Sequence, residues 1–167
     1  MNNFILLNMR IYQIDREKVV NYAKEWAFRR NPRYYDFERL GGDCTNFISQ
    51  CIFAGCGVMN YTPLKGWYYN SLNDRTPAWT GVDEFYSFIV KNKGVGPFAE
   101  QTYIGGIKVG DVVQLYRQGK FFHSVLVTSI INGEILTASH TRDTFNKPLF
   151  DYSFERARFL HIKGYRK

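Results

Sequence analysis

Phe122-His123-Ser124-Val125-Leu126-Val127-Thr128-Ser129-Ile130-Ile131-Asn132-Gly133-Glu134-Ile135-Leu136-Thr137-Ala138-Ser139-His140 is the stretch on which the fold turns. Two runs rich in β-branched and apolar residues flank Asn132-Gly133, a pair that readily takes the positive φ angles of a tight hairpin. The pattern predicts a strand over 122–131, a two-residue turn, and a strand over 134–140. Just upstream, Gly110-Asp111 opens another strand at Val112-Val113-Gln114-Leu115-Tyr116, and a last one covers about 157–164.

The first half of the chain has a different period. From Asp15, the residues Val19, Tyr22, Ala23, Trp26 and Ala27 recur at helical spacing until Asn31-Pro32. Asp15 suits the N-cap, where its carboxylate accepts from a first-turn N–H. Gly41-Gly42-Asp43 reads as a turn. A second helix follows directly, with Cys44, Phe47, Ile48, Cys51 and Ile52 on one face and Gly55 at its end. Pro63, Gly66, Pro77 and Gly81 break up residues 60–80, which read as a long ordered loop with one short helical turn. A third helix spans about 82–92, with Asp83-Glu84 favouring its positive end. Helices first and strands afterwards predict an α+β fold, an antiparallel sheet packed against the helices, with residues 1–167 as a single domain.

Composition agrees with a folded domain that needs no staple. Apolar residues make up 45% of the 167, enough for a core at this length. Three cysteines at C-x6-C and C-x4-C spacing form neither a complete disulfide set nor a zinc knuckle, so free thiols, no metal and no cofactor are expected. The net charge of +7 favours polyanions. The basic residues are scattered, however, and no nucleic-acid recognition motif accompanies them. The apolar run Phe4-Ile5-Leu6-Leu7 is too short for a secretory leader, and no stretch is long enough to span a membrane. The expectation is a chain that stays in the cytoplasm unless another route exports it or it forms part of a larger precursor.

The chemistry centres on Cys44. A thiolate is the nucleophilic form of cysteine, and the positive end of a helix favours it. The free backbone N–H there can also serve a developing oxyanion. Two of the three histidines lie on the hairpin. With Asn132-Gly133 as a two-residue turn, Val125 faces His140, and His123, two residues along, shares that face. His123 is then the candidate general base for Cys44, and His140 the group that orients it. Asp143 is the rival orienter. His161, on the last strand, has no cysteine or acid motif nearby and reads as structural.

Gly41-Gly42-Asp43-Cys44-Thr45-Asn46-Phe47-Ile48-Ser49-Gln50-Cys51 resembles the signature of the putative amidase domain family of Gram-positive bacteria. So do Asn60-Tyr61-Thr62-Pro63, Gly66-Trp67-Tyr68-Tyr69, Trp79-Thr80-Gly81-Val82 and Gly110-Asp111-Val112-Val113-Gln114-Leu115. His123-Ser124, His140-Thr141-Arg142-Asp143 and Arg158-Phe159-Leu160-His161-Ile162 complete the likeness, which runs from about Tyr12 to the end. The family is similar to papain-like cell-wall hydrolases of the NlpC and CHAP types. The resemblance implies a papain-like fold, cleavage of amide bonds in peptidoglycan, and a catalytic set of Cys44, His123 and His140. The oxyanion-hole glutamine of papain has no counterpart, since Glu38 occupies that region.

The resemblance also implies that Asp43 holds a free amino group of the stem peptide; capping the helix is the alternative. Trp67, Tyr68 and Trp79 either line a substrate groove or pack in the core. A peptide or peptidoglycan substrate is thus expected, with a binding module on a hydrolase scaffold, holding wall polymer without cutting it, as the other reading.

Overall fold

The computed structural model describes residues 9–167; the apolar run at 4–7 lies outside them. Helix α1 (Arg16–Trp26) starts as expected, with the Asp15 carboxylate accepting from the Lys18 N–H at 3.0 Å. Helix α2 (Cys44–Cys56) runs one residue past the expected end and stops at Gly57, which takes the left-handed conformation of a helix C-cap. Gly55 has another function. A Cβ there would lie 2.4 Å from Val19 and 2.8 Å from the Asp15 carbonyl, so the bare backbone is what lets α1 and α2 come together. Helices α3 (Pro77–Thr80) and α4 (Val82–Lys91) follow in sequence.

The strands are β1 (Ile11–Tyr12), β2 (Tyr69–Ser71), β3 (Asp74–Arg75), β4 (Gly96–Thr102), β5 (Val112–Arg117), β6 (Lys120–Ile131), β7 (Glu134–Ser139), β8 (Thr144–Pro148) and β9 (Arg156–Arg166). Strands β2 and β3 form a small hairpin inside the segment read from sequence as a loop, and α3 is its short helical turn. The other seven strands form one antiparallel sheet in the order β1-β9-β5-β6-β7-β8, and β4 pairs along β9 opposite β5. The α+β class and the antiparallel sheet are therefore as expected.

The sheet buries both faces. Val112, Leu126, Ala138, Leu160 and Ile162 point to the helices and join Phe47, Ile48, Ile52, Trp67, Trp79 and Phe85 in the main core. Their strand neighbours Val113, Leu115, Val125 and Val127 point the other way and pack with Ile135 and Leu149. The period-two alternation of a strand produces this division. No helix among the described residues is long and apolar enough to cross a membrane.

Substituting Gly55→Ala should overpack the α1–α2 crossing and destabilise the fold by about 1–3 kcal/mol, measured as a lower midpoint of chemical unfolding.

Candidate active site

Cys44 is reached through a turn that only glycine tolerates well. Gly41 and Gly42 have φ of 102° and 107°, a region closed to most side chains. The next residue, Asp43, occupies the N-cap position of α2 but makes no capping bond. Its buried carboxylate turns inward instead, accepting from the Phe37 N–H at 2.9 Å and from Asn46 Nδ2 at 2.8 Å. Its third partner is His140 Nδ1 at 2.5 Å. The capping alternative for Asp43 is thus not realised, and the carboxylate is too enclosed to meet a substrate amine.

The Cys44 thiol, 6% exposed, sits against strand β6. The Ser124 backbone N–H donates toward Sγ, and Thr45 Oγ1 lies 3.8 Å away. Thr45 Oγ1 in turn contacts Ser124 Oγ at 3.0 Å, and Gln114 Nε2 donates to the same oxygen at 3.0 Å. These bonds dock the start of α2 onto the residue beside His123. Burial pushes the thiol pKa up, and the Ser124 and Thr45 donors only partly counter it. The thiolate expected from the helix end is therefore not the resting form: desolvation of the sulfur outweighs those donors. Cys51 and Cys56 are buried too, and their thiols are also shifted up.

The two hairpin histidines do not share a face. The Asn132-Gly133 turn pairs Ile131 with Glu134, Ile130 with Ile135 and Ser129 with Leu136, as expected. Thr128 then bulges, so Val127 pairs with Thr137 and Leu126 with Ala138. One extra residue in a strand inverts the parity of all that follows. His140 consequently points toward α2, where its ring stacks on Phe47 at 4.0 Å. Nε2 donates to the Trp26 carbonyl at 2.8 Å while Nδ1 meets Asp43. Both ring nitrogens are engaged, so His140 cannot orient His123; it anchors the residue before Cys44 instead. Asp143, the rival orienter, is held bidentately by Arg30 at 2.9 and 3.1 Å.

His123 lies on the opposite face, beside Val125. Its Nε2 is 3.2 Å from Ser139 Oγ, and its ring centroid is 5.7 Å from that of Tyr152. Nδ1 makes no hydrogen bond among the described residues. Burial lowers the pKa to about 4, helped by the positive charges of Lys147 and Arg142. The imidazole is therefore neutral at physiological pH, the form a general base requires. No hydrogen bond among the described residues joins Cys44 to either histidine. What the structure brings together is the thiol and the backbone next to His123.

A family model described as "Putative amidase domain" matches residues 13–162. The chain belongs to this family. Two relatives from Bacillus subtilis (strain 168) are both described as uncharacterized. YjcM is 27% identical over 138 residues, which cover 77% of this chain and 31% of that protein. YhbB is 29% identical over 140 residues, covering 81% and 44%. The chain thus spans less than half the length of either relative. No solved structure matches it significantly.

In this member of the amidase family, the aromatic residues of the middle segment divide. Trp67 and Trp79 are wholly buried and donate through Nε1 to Ser49 Oγ and Asn46 Oδ1. They support α2 from behind and cannot line a substrate groove. Tyr68 is half-buried, stacks on the exposed Tyr61 at 5.0 Å and donates to Asp74. His161 is structural in its setting: with Arg16 and the Lys108 and Ile162 N–H groups it surrounds the buried Asp111. A cleft of about 790 Å³ between the 60–65 loop and α4 includes neither Cys44 nor His123. Among the described residues no cluster of His, Cys, Asp and Glu could hold a metal ion. Ser139 and Arg30 escaped the sequence reading, because a serine or arginine carries no signal until its partners are known.

Two outcomes follow from this geometry. In the unfolded chain His123 takes up its proton near pH 6.5, and in the folded chain near 4. Between these values the unfolded state binds more protons. The stability that rests on a neutral His123 is therefore complete above the upper value and lost as pH falls through the lower one, by roughly 3 kcal/mol. A His123→Asn variant should lose correspondingly less stability than the parent in denaturant titrations between neutral pH and about pH 4. Substituting Asp43→Ala, which leaves His140 and Arg30 without their buried partner, should cost about 3–5 kcal/mol in the same assay at neutral pH.

Proposed function

We propose that the chain is a cysteine-dependent amide-bond hydrolase with a papain-like arrangement, Cys44 being the nucleophile and His123 the general base. One observation carries the reading. The thiol at the start of α2 lies against the Ser124 backbone, one residue along β6 from His123, whose imidazole is neutral and whose Nδ1 makes no hydrogen bond among the described residues. His140, its rival on the hairpin, has no ring nitrogen to offer.

The starting state is a thiol beside a neutral imidazole. His123 Nδ1 takes the thiol proton as Sγ adds to the amide carbonyl carbon, and the carbonyl π electrons move onto oxygen. Because Asp43 does not cap α2, the Cys44 backbone N–H at its first turn is left to receive that oxyanion. The imidazolium passes its proton to the amide nitrogen, the C–N bond breaks, and a thioester remains on Cys44. Water then adds to the thioester with His123 again taking a proton. Collapse breaks the C–S bond, returns the proton to sulfur and releases a carboxylic acid.

The substrate proposed is a peptidoglycan stem peptide or the amide joining stem to glycan. The likeness to wall hydrolases supports it, and the +7 charge suits an anionic wall polymer. A second reading, a binding module without turnover, is favoured by the burial and raised pKa of the thiol. Incubation with isolated muropeptides, read by mass, separates the two: the enzyme consumes them and the binder returns them intact. Substituting Cys44→Ala should abolish hydrolysis with the thermal midpoint nearly unchanged, and cleavage that survives the substitution refutes the assignment.

A further inference from the structure

We infer that Ser139, held by Tyr152 and Thr144, is the positioning residue of His123. The inference rests on His123 as base and adds the group that sets its tautomer. Ser139 is the fully buried last residue of β7, on the face of the sheet away from α2. Its Oγ is 3.2 Å from His123 Nε2, 3.2 Å from Thr144 Oγ1 and 3.3 Å from the Tyr152 hydroxyl. Thr144 and Tyr152 close the triangle at 2.9 Å.

A closed ring of hydroxyls assigns the direction of the bond to histidine. With one proton on each of the three sides of the triangle, the three hydroxyls have none to spare. Thr137 adds no demand on Ser139, since it donates to the Lys147 carbonyl at 3.0 Å as well as lying 3.3 Å from Tyr152. Ser139 therefore has no proton left for the imidazole. It accepts from Nε2–H, so the neutral ring carries its lone pair on Nδ1, the nitrogen without a hydrogen-bond partner among the described residues. That is the tautomer a base needs, and it is the task sequence reasoning gave to His140.

The arrangement also explains why a serine can do this work. An isolated hydroxyl rotates and would donate or accept with little preference, whereas one locked in a closed ring of hydroxyls presents a single lone pair. Tyr152 is itself fixed by Lys147, whose Nζ lies 4.2 Å over its ring.

Nitrogen-15 spectra of the histidine rings test the inference without reference to turnover. In the parent protein near neutral pH, His123 should show the Nε2–H tautomer alone. In Ser139→Ala it should become a mixture, and in Ser139→Thr, which keeps the hydroxyl, it should return to the parent pattern. In the muropeptide assay Ser139→Ala should lower kcat by about 10²-fold, the scale expected for a misaligned catalytic group, with KM within about twofold and Ser139→Thr recovering most of the loss. A Tyr152→Phe variant, which opens the hydroxyl ring but leaves Ser139 in place, should also give mixed tautomers. An Nδ1–H ring in the parent, or a Ser139→Ala protein with an unaltered His123 tautomer, overturns the inference. If Cys44→Ala remains active while the tautomer pattern holds, the hydrolase reading fails and the positioning of His123 stands.

Discussion

The buried carboxylate of Asp43 is the constraint from which the architecture around Cys44 follows. It gathers an N–H from the approaching loop, an amide from the first turn of α2 and an imidazole from the end of β7. Arg30 Nε approaches to 3.6 Å from a fourth direction. Helix, loop and sheet therefore meet at a single side chain next to Cys44. A carboxylate so deeply placed is tolerable only because each approach is a donor. His140 is held as firmly in return: one nitrogen on the carboxylate, the other on the Trp26 carbonyl, its ring on Phe47. The three-dimensional position of the sulfur is thus set by charge and hydrogen bonding more than by the apolar stripe of its helix.

This changes the chemical character of the thiol. Read from sequence, Cys44 gains its reactivity from the helix end and from an imidazolium. In the fold, the sulfur is desolvated against the Ser124 backbone on β6, and the adjacent residue, His123, carries an uncharged ring buried with cations nearby. In the hydrolysis proposed for Cys44 and His123, a neutral thiol and a neutral ring move the work from ground-state ionisation to proton transfer concurrent with attack. The direction of the imidazole lone pair then matters more than the pKa of the thiol alone.

What the sequence revealed depended on whether a residue's signal was local. Asp15 as a cap, the helical stripe after it, the start of α2 and the Asn132-Gly133 turn are set by neighbours within a few positions, and all were legible. Strands β4 and β8 were not, since β4 is defined by pairing with β9 and β8 by pairing with β7. The inward turn of Asp43 was equally hidden, because an aspartate before a helix usually caps it and only distant partners redirect it. Trp67 and Trp79 looked ambiguous for a related reason: aromatic rings in a loop-like segment fit a groove or a core equally well, and burial against α2 decides it. The decisive loss was at Thr128, whose side chain donates to Asn146 on β8. Nothing within β6 or β7 marks it as a bulge.

That bulge works as a half-step in the hairpin's count. By adding one residue to a single strand, it lets two histidines carried on the same ribbon serve opposite sides of the sheet. One secures the residue before Cys44, and the other sits among hydroxyls buried on the opposite face. Substitutions among those hydroxyls need not disturb the anchoring of Asp43 on the other face.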